Sequence, residues 1–194
     1  MDHVVRSSAP ATYADLVALP SHIKGEIIDG RLYTQPRPRA WHAMIEGAAF
    51  GDLHACFHRG RGGPGGWWIV VEPGIELPRA AEFSPDSAGW LRSRMPRPPG
   101  PGEPWRTVPD FIFEVLSPSN RHYDLTVKRR FYAEIGVQHL WFIDPDARTL
   151  KVHRLHEGRW VELGVFGSEE PVRAEPFDAV ELDIGEWWPT RDGE

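Results

Sequence analysis

Apolar and polar positions divide the chain into short strands and a few amphipathic helices. The most continuous apolar run, Phe111 to Leu116 (F-I-F-E-V-L), is apolar on both faces except for one carboxylate. That is the pattern of a central strand covered on both sides. Period-2 alternation places Glu114 on the face of Ile112 and Leu116, where an ionised carboxylate is costly unless a cation or hydrogen-bond donors meet it. Ser117-Pro118-Ser119 interrupts the strand, and the spacing predicts a helix from about Asp124 to Ile135. On it Asp124, Lys128 and Tyr132 recur at i, i+4 and i+8 as a polar stripe beside an apolar one of Val127, Phe131 and Ile135. Gly136 ends the helix, and His139 to Ile143 reads as the next buried strand. One short crossover therefore brings a buried glutamate near a helical lysine.

Upstream, Thr12 to Leu19 reads as a short helix capped by Thr12 and stopped by Pro20. Gly25 to Tyr33 forms two strand segments about an Asp29-Gly30 turn, a hairpin signal. Trp41 to His58 is the longest helical pattern, with Met44, Ile45, Ala48, Ala49, Leu53 and Phe57 on one side. It runs into a glycine-rich segment, Arg59 to Gly66, which either grips phosphate or simply connects. Trp67 to Leu77 reads as a strand broken at Pro73-Gly74, and Phe83 to Trp90 as a second strand-like segment carrying one acid, Asp86. Residues 91–105 contain five prolines and read as a loop, a flap beside a site. Leu150 to Leu155 and Trp160 to Val165 make a closing hairpin, and Trp187 and Trp188 pack back on the body. The expected organisation is one α/β domain over 11–188, with flexible tails at 1–10 and 189–194.

Composition narrows the class. A chain of 194 residues, 41% hydrophobic and holding nine tryptophans, has enough apolar material for one sizeable core. A net charge of -6 excludes a large non-specific nucleic-acid surface but allows a local basic rim. The single cysteine, Cys56, excludes an intramolecular disulfide and a cysteine-rich zinc cluster. With no signal pattern and no run of ~18 apolar residues, no membrane association and a cytoplasmic setting are expected.

The chemistry-bearing set is Asp86, Glu114 and Lys128, with Glu26 alongside. Two carboxylates on adjacent strands can share a hard divalent cation, and a nearby ammonium can orient water or stabilise developing phosphate charge. Asp110 does not qualify as partner. It lies four residues from Glu114 on one strand, ~13 Å away at ~3.3 Å per residue, whereas strand pairing can bring Asp86 alongside. Blander readings stand beside each choice. Glu114 is alternatively a buried ion pair with Lys128 or Arg129, and Asp86 a turn residue. Glu26 is either surface charge or ligand, Asp124 a helix cap or a partner of the lysine, and His42 a helix-face side chain or a site residue. Arg121, Arg129 and Arg130 form either a basic rim for a nucleic-acid backbone or a solvated helix face.

Ser84-Pro85-Asp86-x-Ala88-Gly89-Trp90, then Pro109-Asp110-x3-Glu114-Val115-Leu116-Ser117-Pro118-Ser119, then Asp124-x3-Lys128-x3-Tyr132-x3-Gly136-Val137 resemble the Uma-two family. The upstream order Gly25-Glu26-x-x-Asp29-Gly30 followed by His42 also fits. The resemblance spans roughly residues 12–165. That family is placed in the PD-(D/E)XK nuclease superfamily, which implies a restriction-endonuclease-like fold: a central mixed sheet flanked by helices, here with an N-terminal and a C-terminal hairpin. It implies Mg²⁺- or Mn²⁺-dependent cleavage of DNA, with Asp86 and Glu114 as metal ligands and the Val115 carbonyl as a further one. The superfamily's lysine normally follows the second acid by two residues, where this chain has Leu116, so its counterpart is Lys128 on the next helix. Glu26 resembles the upstream assisting acid, with Asp124, Tyr132 and His42 in support. Cutting both strands of DNA needs two sites, which suggests a homodimer. The competing expectation, motivated by Leu116 and the acidic charge, is a catalytically silent module that binds nucleic acid or a partner protein.

Overall fold

Phe111, Phe113 and Val115 join one hydrophobic core and Ile112 and Leu116 another, so the strand they share is covered on both faces, as its composition requires. The structure is a computed structural model and describes residues 3–4, 9–37 and 39–190. In chain order its strands are β1 (His3–Val4), β2 (Ile23–Ile28), β3 (Arg31–Pro36), β4 (Trp67–Val71), β5 (Ile75–Leu77), β6 (Ala80–Phe83), β7 (Ser87–Leu91), β8 (Phe111–Val115), β9 (His139–Asp144), β10 (Thr149–His156) and β11 (Arg159–Phe166). The helices are α1 (Tyr13–Val17), α2 (Ala40–Leu53), α3 (Arg121–Tyr123) and α4 (Arg129–Ile135). A π-helical turn, His54–His58, extends α2, and another, Asp124–Lys128, joins α3 to α4 into one rod over residues 121–135.

The main sheet has the order β11-β10-β9-β8-β7-β4. Only β8 and β9 pair in parallel among these neighbours, because the rod between them is the crossover that parallel pairing needs. One face packs on α2 and the C-terminal segment through Ile45, Leu53, Phe177 and Trp187; the other carries Phe131 and Tyr132 of the rod. The smaller sheet, β1-β3-β2-β6-β5, contains the expected N-terminal hairpin, whose turn residues Asp29 and Gly30 both hold positive φ, as a two-residue hairpin turn demands. The closing hairpin is β10–β11. Trp187 donates its indole N–H to Asp52 Oδ2 at 2.8 Å, which fastens the C-terminal segment to α2.

Several expectations shift. The segment 83–90 is two strands, with Asp86 in the break between β6 and β7. Met44 does not share the buried side of α2: it is 57% exposed, because Ile45, Ala49 and Leu53 repeat at four-residue steps and Met44 lies roughly opposite them. The rod starts at Arg121 instead of Asp124, and the Asp124 N–H donates to the Asn120 carbonyl, so Asp124 lies inside the rod and does not cap it. The proline-rich loop is held down by stacking of Trp105 on Trp90 and by a bond from Trp68 Nε1 to the Met95 carbonyl. It does not line the cleft described below. The expected tails fall largely outside the described residues, although His3–Val4 pairs with β3.

The rod is pinned to the sheet by Arg121, which binds Asp144 Oδ2 at 2.6 Å at the end of β9. The Asp144 side chain is 1% exposed, and the guanidinium bond holds its carboxyl below the usual range. Arg121→Ala is expected to cost about 1–3 kcal/mol at pH 7 by leaving that carboxylate unpaired. An acid with a depressed folded pKa contributes stability above its unfolded value of 3.8 and loses it as the pH falls. The difference between wild type and variant in urea melts should therefore shrink below pH 4.

Candidate metal and phosphodiester site

Two carboxylates enter the site from one strand pair. Glu114 comes from β8 on the rod side, and Asp86 precedes β7, whose first residue, Ser87, pairs with Phe113. The Val115 N–H donates to Asp86 Oδ2 at 2.8 Å, which fixes Asp86 beside the C-terminal end of β8. Such strand ends, where connections diverge, are where α/β sheets place ligands.

On the rod side, Lys128 is the hub. Its Nζ lies 3.0 Å from Glu114 Oε1, 3.3 Å from Glu26 Oε2 and 3.7 Å from Asp124 Oδ1, with every one of these side chains at most 4% exposed. Tyr132 donates its hydroxyl to Glu114 Oε1 at 2.5 Å. Lys128 and Asp124 both belong to the π-helical turn, a local widening often found at functional sites. Glu26 accepts the Ser84 N–H at 2.8 Å, tying β2 to the turn that carries Asp86. Thus Glu26, Asp86, Glu114, Asp124, Lys128 and Tyr132 gather as the sequence suggests, and Lys128 occupies the space by Glu114 that Leu116 cannot serve.

Helix α2 brings a second pair from the other face. His42 Nε2 is 3.2 Å from Asp86 Oδ2 and 3.7 Å from Glu46 Oε2. His42 is therefore turned toward these carboxylates and is 7% exposed. Glu46 escaped the sequence reading, although its signal was present: it follows His42 by one helical turn, i,i+4. Lys24 was also missed. It shares a face of β2 with Glu26, bonds Glu72 at 2.9 Å and adds positive charge near Asp86.

Electrostatics follow from burial. Desolvation pushes Glu114 up to about 7, against the pull of Lys128 and with help from Asp86 and Glu26. Desolvation likewise lifts Glu46 to about 7, with Asp86 adding to the rise. At Asp86 desolvation is outweighed by the bond and charge of His42 and by Lys24 and Lys128, so its carboxyl falls to about 2. Burial opposes charge on Lys128, but Glu114, Glu26, Tyr132 and Asp124 hold its ammonium well above its usual range. Five buried acids, Glu26, Glu46, Asp86, Glu114 and Asp124, thus face Lys128, Lys24 and one imidazole. So many buried acids cannot all ionise without a further cation, and a divalent ion fits this oxygen-rich donor set. Glu46 Oε1 is buried without a hydrogen-bond partner, which also fits.

A cleft of about 620 Å³ reaches the site at His42. Arg37, Arg39 and Trp41 line it on one side, and Leu116 to Asn120 with Pro145 and Asp146 on the other. The expected basic rim lies elsewhere. Arg121 is bound to Asp144, while Arg129 and Arg130 border a separate groove with Arg159 and Trp160. Asp110 is bound by Arg94 at 2.9 Å and by the Leu91 N–H at 2.8 Å.

No helix among the described residues is long and apolar enough to cross a membrane. No curated protein matches the chain. Among solved structures, the fold is shared with a protein of Anabaena variabilis ATCC 29413 described as "a putative nuclease belonging to DUF820". The TM-score is 0.70 at 23% identity, over 92% of this chain and 98% of that one. The family model described as "Putative restriction endonuclease" matches residues 10–185, and the chain belongs to that family, Uma2.

Proposed function

We propose that the protein is a divalent-metal-dependent endonuclease that hydrolyses phosphodiester bonds of DNA. The observation that carries this reading is the buried excess of carboxylates around Asp86, Glu114 and Lys128, at the end of a cleft lined by two arginines. Asp86 and Glu114, with the Val115 carbonyl, would hold Mg²⁺ or Mn²⁺. When bound, the cation supplies positive charge to the scissile phosphate and eases deprotonation of the attacking water.

The chain's own groups prepare that arrangement. The Val115 N–H orients Asp86 through Oδ2. Lys128 and Tyr132 both take Oε1 of Glu114, leaving Oε2 for the cation or the water. Lys128 opposes the rise that burial imposes on Glu114, and Glu26 braces the Ser84–Asp86 turn. Arg37 and Arg39 offer the cleft charge that complements a phosphate backbone, and the exposed Trp41 ring offers a stacking surface.

Plasmid nicking tests the reading. Supercoiled DNA should relax with Mg²⁺ or Mn²⁺ and remain intact with EDTA. Asp86→Asn should lower the rate at least about 10³-fold, several kcal/mol of lost transition-state stabilisation. Nicking that survives EDTA, or that persists in Asp86→Asn, sinks the assignment. Mn²⁺ binding without cleavage would favour a nucleic-acid-binding module instead, the reading that Leu116 motivates.

A further inference from the structure

We propose that His42, Glu46 and Asp86 form a second cation position, distinct from the one toward Glu114 and sharing Asp86 with it. Its imidazole ligand suits it to Mn²⁺, Co²⁺, Ni²⁺ or Zn²⁺ more than to Mg²⁺. The three side chains each offer one ligand atom, and these atoms all lie within 4.8 Å of one another. The separations 3.2 Å and 3.7 Å from His42 Nε2 to the two carboxylates are close to the edge of a coordination polyhedron. Ligand atoms ~2.1 Å from a first-row ion stand ~3.0–3.4 Å apart.

A second observation is independent of that spacing. Glu46 Oε1 is buried, on a residue 7% exposed, and makes no hydrogen bond. Buried polar atoms without partners are rare, and an unplaced ion is one of the few explanations. The backbone supports the geometry as well. His42 and Glu46 are one turn apart on α2, so a rigid helix presents both to the same point, and the Val115 N–H holds Asp86 opposite them.

Two features follow. A mixed nitrogen and oxygen set lowers the preference for Mg²⁺, which favours all-oxygen surroundings and sheds water reluctantly. Because His42 also lines the cleft, an ion there has an open side toward whatever the cleft holds. A role for this ion beside the scissile phosphate rests on the nuclease reading; its binding does not.

The test uses the full chain freed of metal by EDTA and dialysis. Calorimetric titration should show two Mn²⁺ per wild-type chain. Pulsed electron paramagnetic resonance of the Mn²⁺-loaded protein should show coupling to an imidazole ¹⁴N. His42→Gln should abolish the coupling. Glu46→Gln, a conservative change on the same helix face, should weaken one of the two Mn²⁺ at least about 10-fold. Glu114→Gln should lose the other ion and keep the nitrogen coupling. The proposal is overturned if the wild type shows no nitrogen coupling, or if Glu46→Gln titrates like wild type. Should His42→Gln fail to fold, the wild-type spectrum and Glu46→Gln still decide. Nicking that survives without nitrogen coupling sinks the second position and leaves the nuclease standing. Coupling without nicking does the reverse.

Discussion

Lys128→Met is expected to lower the stability of the metal-free protein by about 3–5 kcal/mol at pH 7.5, the range for removing one partner of a buried ionic network. Methionine keeps the length and much of the volume of the lysine stem, so the loss reports charge and not a cavity. The reason is the count of charges: Nζ is within 3.0–3.7 Å of Glu114, Glu26 and Asp124, and no other ammonium touches all three among the described ion pairs. Without it Glu114 and Asp124 must protonate or leave the interior. Burial already holds Asp124 well above its usual range and Glu114 near 7, so acid relieves the variant. The gap between wild type and variant in urea denaturation should be wide at pH 7.5 and narrow at pH 5. A variant that unfolds within about 0.5 kcal/mol of wild type at pH 7.5 would show that Lys128 is not the counter-charge of the cluster. Nicking by Lys128→Met, measured under conditions where it is folded, should be lost while Mn²⁺ binding at Glu114 is kept, because removing the ammonium leaves the carboxylates more in need of a cation.

What could be read from the sequence was what local periodicity controls. Alternation along β8 places Glu114 opposite Phe113 and Val115, and one helical turn relates Asp124 to Lys128, so their meeting follows from strand, crossover and helix. Backbone length alone removed Asp110, and the structure gives that acid to Arg94. The misses share a cause, because they depend on partners far along the chain. Arg121 looked like a phosphate contact because its acceptor, Asp144, lies 23 residues away on another strand. Glu46 drew no notice because its value depends on Asp86, which only the fold brings to α2. The β5–β6 side of the smaller sheet was unreadable for another reason: β5 has three residues and β6 four, too few for alternation to register.

The buried acids set the sign of the pH dependence of the metal-free protein's stability. Glu114 and Glu46 have folded pKa values near 7, raised first by desolvation, against an ordinary 4.5. A group that binds its proton more tightly in the folded state stabilises the fold below its unfolded pKa and loses that contribution as the pH rises through its folded value. Their joint effect is to weaken the metal-free protein between about pH 4.5 and 7, on the order of a few kcal/mol. Asp86 works in the other direction, but its window lies below 3.8, outside this range. His54, His58, His139 and His153 are all lowered by burial and add an opposite slope near neutrality. The decisive quantity is therefore the difference between wild type and the double variant Glu46→Gln/Glu114→Gln. The double variant mimics the protonated pair, so its advantage over metal-free wild type should grow from pH 5 to pH 8. Mn²⁺ should shift the order back toward wild type, since binding at 100 times its dissociation constant adds about 2.7 kcal/mol per site to wild type and less to a variant with weakened sites. A double variant that gains nothing on wild type as the pH rises, in EDTA, would mean that these acids are not held under strain for a cation. If that shift with Mn²⁺ is seen, the instability of the empty site is what gives the ion its place in the fold.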